Sequence, residues 1–240
     1  MLRKLLILTL IVLLNACMIQ VAKRPFETLD QQIVRANFDA YKYALLNDLG
    51  KDASGLVSAL TLHYYEDMLA LAQHGDEAQV KALSPFDKMV VLTMRHSIPS
   101  PDLNSLSAQD VFAYGVREDW ISKHQIAPFE LGSVSVFGSY ASASVIRGDH
   151  DTDRYLEFRK ENGVWRLNLL PLIENSKLQF TTNLTKSQMD ENTTVISMIE
   201  TLSGRKVDKN IWQAPLAAAT PEETSSAGKK SDAPGDSKGK

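Results

Sequence analysis

Glu161-Asn162-Gly163-Val164-Trp165-Arg166-Leu167-Asn168-Leu169 decides the reading of this chain. Asn162-Gly163 is the signature of a two-residue hairpin turn, because both residues tolerate positive φ and the turn's twist matches that of the flanking strands. After it, Trp165, Leu167 and Leu169 alternate with Arg166 and Asn168, the period of a strand with one buried face. Upstream, segments rich in Val, Phe and Tyr are divided by further turn signals. They predict strands over Phe129–Tyr140, Ala141–Arg147 and Asp153–Lys160, followed by Val164–Ile173. Short sequential turns make these four an antiparallel meander.

N-terminal to the strands the period is helical. Thr28 with Gln31 forms a capping box, and Val34, Phe38, Tyr41, Leu45 and Leu49 follow at spacings of four and three, with Gly50 as a stop. Leu60–Gln73 reads as a second helix, with Leu62, Tyr65, Leu69 and Ala72 on one face. Ser84-Pro85-Phe86-Asp87 opens a third: a cap, a proline in the first turn and an acid after it. Ser107-Ala108-Gln109-Asp110 opens a fourth in the same way, and Asp190–Leu202, closed by Gly204, is a final helix. The fold class is therefore α+β: N-terminal helices packed on a four-stranded antiparallel sheet, then a C-terminal helix.

The run Ser84-Pro85-Phe86-Asp87-Lys88-Met89 together with Gly163-Val164-Trp165-Arg166-Leu167 resembles the nuclear-transport-factor-2-like family over residues Phe26 to Glu174. The resemblance implies a strongly curved sheet, a cone, with helices against its inner face and a conical cavity. Some members isomerise, cyclise or dehydrate small molecules, and many are non-catalytic binding domains. The fold by itself does not choose between them.

The first residues resemble the signal peptide of a bacterial lipoprotein. Arg3 and Lys4 precede an apolar run, Leu5–Leu14, that fits a signal h-region of roughly 7–15 residues and falls short of the ~20 apolar residues a span needs. Leu14-Asn15-Ala16-Cys17 has the apolar and small positions of a lipobox, with Asn15 where Ala, Ser or Thr is commoner, and Cys17 is the single cysteine of 240 residues. The resemblance implies a signal peptide over 1–16 and cleavage before Cys17. Cys17 is then the lipid attachment site, carrying diacylglycerol on sulfur and an amide-linked acyl chain such as palmitate. It implies a periplasm-facing protein of the cell envelope, with Met18 favouring the outer over the inner membrane. Residues 17–25 are then a tether. A domain with its C-terminal helix follows over 26–213, and residues 214–240, rich in Ala, Pro, Ser, Gly and Lys, form a disordered tail.

The chain carries 26 Lys and Arg against 29 Asp and Glu, and loss of Arg3 and Lys4 leaves 24 against 29. That mild acidity argues against a nucleic-acid surface and against electrostatic docking on anionic lipid. Acylation of Cys17 would leave no thiol, which excludes disulfides, cysteine-bound zinc and thiol catalysis. About 190 residues suffice to hold a fold by its core alone.

Residues able to carry chemistry are few. His63 and Tyr64 on the second helix and His96 at the end of the third are the catalytic candidates: in a cone an imidazole moves a proton and a tyrosine polarises a carbonyl. Against this, a Tyr64 or Tyr65 packed in the core, His63 at a cavity edge and Arg95 with His96 at a helix C-terminus are purely structural. Asp149, Asp151 and Asp153 begin like a calcium loop, but Arg154 and Lys160 stand where that loop needs Gly and Glu. No other metal or cofactor motif is present. The first function is a non-catalytic envelope lipoprotein binding a partner protein or a small apolar ligand; the second is an isomerase- or dehydratase-like enzyme in the same cavity, using His63 or His96. A structural periplasmic tether is the third. An open, polar-lined cavity would favour the enzyme, and one filled by Leu, Phe and Trp would oppose it.

Overall fold

The computed structural model describes residues 26–121, 123–187 and 190–215. The expectations placed on residues 1–25, Cys17 included, and on most of the 214–240 tail lie outside them. Thr28 caps helix α1 (Leu29–Leu46) in the expected capping box, its side chain accepting the Gln31 amide and Gln31 reaching back to the Thr28 amide. Short helices α2 (Gly50–Leu56), α4 (Glu77–Lys81), α6 (Ser100–Leu103) and α8 (Lys123–Ile126) alternate with α3 (Ala59–His74), α5 (Pro85–Ser97) and α7 (Ala108–Arg117). Strands β1 (Phe129–Phe137), β2 (Tyr140–Arg147), β3 (His150–Glu161) and β4 (Val164–Asn168) form one antiparallel sheet in sequence order. Helices α9 (Leu170–Ser187) and α10 (Glu191–Ser203) and a 3-10 turn, Lys209–Trp212, complete it.

The meander and its turns are as the sequence predicts, with Asn162 and Gly163 both at positive φ. Irregularities between Leu131 and Val134 and between Ser144 and Ile146 bend β1 and β2. The sheet curls around α1. On one flank of the helix Gln31, Arg35 and Lys42 donate to backbone carbonyls of β1: Val134 (2.7 Å), Leu131 and Gly132 (2.5 and 2.6 Å) and Phe129 (2.9 Å). On the other flank Asn37 donates to the Trp165 carbonyl of β4 at 3.0 Å. Near the start of α1 the Asp30 Oδ1 accepts from Trp165 Nε1 and from Lys160 Nζ, each at 2.8 Å. Both sheet edges are thus closed by side chains of a single helix. The free edge of β4 is further covered by the Ser58 amide, which donates to the Leu167 carbonyl at 2.8 Å. Open edges are pairing sites for other chains.

Trp165, Leu167 and Leu169 share the buried face, as their alternation predicts, and Trp165 is completely enclosed. With Val34, Phe38, Tyr41, Phe112 and Phe158 they form the sheet-side core. A second core lies among α3, α5, α7 and α10, around Leu69, Val91, Leu92 and Val195.

The structure corrects several boundaries. β4 ends at Asn168, and Leu170 starts an 18-residue helix where an extended strand to Ile173 is expected. Pro171 suits a first helical turn, and the Leu170 amide is capped by Asn168 Oδ1 at 3.3 Å. Gly50 opens α2 instead of stopping α1, which ends at Leu46; Asp48 makes the reversal at φ 58°. A Cβ at Gly50 would sit 2.5 Å from the Ala113 carbonyl oxygen, so the glycine serves the close approach of α2 to α7. β1 stops at Phe137, where the Gly138 turn begins, and β3 starts at His150, three residues earlier than expected.

Trp165→Ala should cost about 3–5 kcal/mol by denaturant unfolding, and Trp165→Phe should recover part of that while losing the bond to Asp30. Lys160 and then Trp165 hold the Asp30 carboxyl below its ordinary range by hydrogen bonding. That contribution is complete above the unfolded carboxylate range and is lost as pH falls through the lowered value. Acid unfolding of Asp30→Asn should therefore be less steep than that of the wild type; an identical pH profile would contradict the Asp30 contact.

Candidate functional site

The inner face of the sheet is where the resemblance places a cavity. Here α1 and α7 fill it: Val34, Phe38, Tyr41, Phe112, Phe158 and Trp165 are each at most 1% exposed. Two polar atoms on this side of α1, Asn37 Oδ1 and the Tyr41 hydroxyl, have no hydrogen-bond partner among the described residues. Burial, and then the neighbouring Tyr65, push the Tyr41 phenol above its ordinary range, so it stays protonated at neutral pH.

His63, Tyr64 and His96 occupy three different environments. His63 lies on the outer face of α3, 69% of its side chain exposed, with Nδ1 at 3.2 Å from Glu66 and Nε2 at 3.9 Å from Asp67. It borders an open depression of about 610 Å³ with Leu60, Leu62, Glu66, Ser107 and Gln109. Tyr64, the next residue, points to a different side, since adjacent residues on a helix are turned by about 100°. It is buried between α3 and α5, and its hydroxyl donates to Asp87 Oδ1 at 2.8 Å. Asp87 Oδ2 accepts the Ser84 hydroxyl at 2.7 Å. Lys177 of α9 closes this cluster, 3.1 Å from Asp87, 3.0 Å from Glu174 and 4.7 Å above the Tyr64 ring. Burial and the Asp87 charge raise the Tyr64 phenol. Burial works against the Lys177 ammonium, but bonds to Glu174 and Asp87 outweigh it and raise its pKa. The Tyr64 phenol and the Lys177 ammonium thus stay protonated at neutral pH and tie α3, α5 and α9 together.

His96 Nε2 shares a 2.8 Å hydrogen bond with Ser203 Oγ at the end of α10, and burial, then Arg205, lower its pKa. Beside it, Arg95 spends every donor on backbone carbonyls: Leu71, Ala72 and Gly75 at the end of α3, and Ile211 and Trp212 of the 3-10 turn, all within 3.2 Å. Arg95 and His96 are thus a staple at helix ends, one of the two sequence readings. Among the described residues no hydrogen bond or ion pair joins any two of His63, Tyr64 and His96. The sequence reads Asp87 as the acid of a helix start and gives neither it, Lys88 nor Lys177 a role in a site, although Lys88 is nearly buried and pairs with Glu191 and, at 3.1 Å, with Asn192. Their only signal is an acid and a base inside an otherwise apolar helix face.

Asp149, Asp151 and Asp153 lie exposed at the β2–β3 turn, where Asp151 Oδ1 accepts the Asp153 amide at 3.3 Å. Among the described residues no group of three His, Cys, Asp or Glu side chains is placed to hold a metal ion, and no helix is long and apolar enough to cross a membrane. No protein family, curated protein or solved structure matches the chain.

Tyr41→Phe tests whether the interior serves a ligand. An unpaired buried hydroxyl is unfavourable by about 1–3 kcal/mol. The substitution should therefore leave the thermal midpoint unchanged or raise it. A clear fall would show that the hydroxyl has a bound partner inside the cone.

Proposed function

We propose that this chain is a lipoprotein of the bacterial cell envelope, anchored by acyl chains on Cys17, facing the periplasm and held at the outer membrane. Its nuclear-transport-factor-2-like domain acts as a non-catalytic module that binds a partner protein. The observation that supports this best is the occupied interior: six large side chains of the chain itself stand where a substrate would sit. The dispersal of His63, Tyr64 and His96 into separate contacts adds to it. An isomerase-like enzyme and a carrier of a small apolar ligand both need that interior open. The lipobox Leu14-Asn15-Ala16-Cys17 supports the anchor, since two or more acyl chains hold a protein firmly on a bilayer where one is marginal.

Metabolic labelling with a tagged fatty acid tests the anchor. The wild-type chain should take up label and fractionate with membranes. Cys17→Ser should lose the label and move to the soluble fraction. Undiminished labelling of Cys17→Ser would overturn the reading.

A further inference from the structure

Helix α1 has two apolar faces, and only one is covered. Val34, Phe38, Tyr41 and Leu45 enter the sheet, but Leu29, Ile33, Ala36, Ala40 and Tyr43, at spacings of four, three, four and three, run along the opposite side. All five are exposed, Leu29 by 72% and Tyr43 by 63%, and Phe26 extends the stripe beyond the start of the helix. A solvated helix ordinarily keeps charged and polar residues on this face. The two bases of α1 do not supply charge to it, because Arg35 and Lys42 are turned to the carbonyls of β1.

We propose that this outer face of α1 lies on the surface of the lipid bilayer. The inference rests on the acylated Cys17 proposed above. Eight residues lie between Cys17 and Phe26, a span of nine steps, so the stripe begins at most about 31 Å of extended chain from the anchor. No other described element starts so near it in the chain. An 18-residue helix is about 27 Å long. Laid flat, it places Phe26, Leu29, Ile33 and Tyr43 at the level where amphipathic helices insert their apolar side chains. Lys23 and Arg24 immediately precede the stripe and carry the only bases of the tether between Cys17 and Phe26. The stripe itself has no cation and is flanked by exposed Asp39. The contact is therefore apolar, made on zwitterionic lipid and insensitive to salt. The same Asp39 argues against a second copy of the chain, since antiparallel pairing of two stripes about Ala36 would set the Asp39 carboxylate against the apolar Ile33 of the other copy.

The test uses the full, acylated chain in phosphatidylcholine vesicles. Acylated Cys17 leaves no free thiol, so Ala36→Cys offers a single site for an environment-sensitive fluorophore, with Asn183→Cys on the exposed side of α9 as the reference. The Ala36→Cys probe should shift to the blue and be quenched by nitroxide-bearing lipid at low and high salt, and the Asn183→Cys probe should do neither. Adding Leu29→Gln and Ile33→Gln should abolish the shift while the chain still floats with the vesicles. A chain that floats with an unshifted, unquenched Ala36→Cys probe would overturn the docking and leave the anchor standing. A chain that does not float and carries no acyl group would overturn the anchor and the docking with it. A blue shift that ignores nitroxide lipid and grows with the protein-to-lipid ratio would assign the stripe to a second copy and overturn the proposal.

Discussion

One helix closes both edges of one sheet, and the rest of the molecule follows from that arrangement. A four-stranded meander has two edges with unpaired backbone groups. Here Gln31, Arg35 and Lys42 reach the β1 edge from one flank of α1 while Asn37 reaches β4 from the other. Such bonds are possible only if the sheet curls, and the irregularities in β1 and β2 supply the bend. Asp30 pins the helix along its axis by accepting from Trp165 and Lys160 at once. Curling brings the inner face close enough for Phe38, Tyr41, Phe158 and Trp165 to exclude everything else. The same closeness that seals the edges fills the inner face of the sheet with the chain's own side chains.

The second layer is organised by α5. Its apolar side packs on α3 and α10, while its polar side chains reach four other elements. Asp87 meets Tyr64 of α3 and Lys177 of α9, Lys88 meets Glu191 of α10, and Arg95 ties the end of α3 to the 3-10 turn. Removing one partner of a buried charged pair is costly because the other charge stays behind. The ionisable groups near the helical core therefore read as fasteners, and the features left for recognition are on the outside: the depression beside His63 and the outer stripe of α1.

How far this was legible depends on whether the signal was local. The Thr28–Gln31 box, the Asn162-Gly163 turn and the alternation around Trp165 are written in consecutive residues, and the structure carries all three. Leu169-Leu170-Pro171-Leu172-Ile173 misleads because a buried helix start and a buried strand end are equally apolar; the capping Asn168 is the only local clue. The role of Gly50 depends on Ala113, 63 positions away, so no window around it could reveal that contact. For the candidate site the chemistry of His63, Tyr64 and His96 was readable and their directions were not. Neighbouring side chains diverge around a helix, and the partners that claim them, Asp87 and Ser203, are set by packing. The outer stripe of α1 is visible in its spacing, masked by the stronger stripe on the opposite side of the helix.

The central claim is that α1 is a fixed wall of the core and not a lid over a cavity. Native-state hydrogen exchange measures this directly, because each amide reports the free energy of the opening that exposes it. The amides of Val34 through Leu45 should exchange with the same opening free energy as those of β2 and β3, equal to that of global unfolding. Exchange of α1 at a much lower free energy, with the sheet still protected, would make the helix a lid over a site that opens, and would contradict the account.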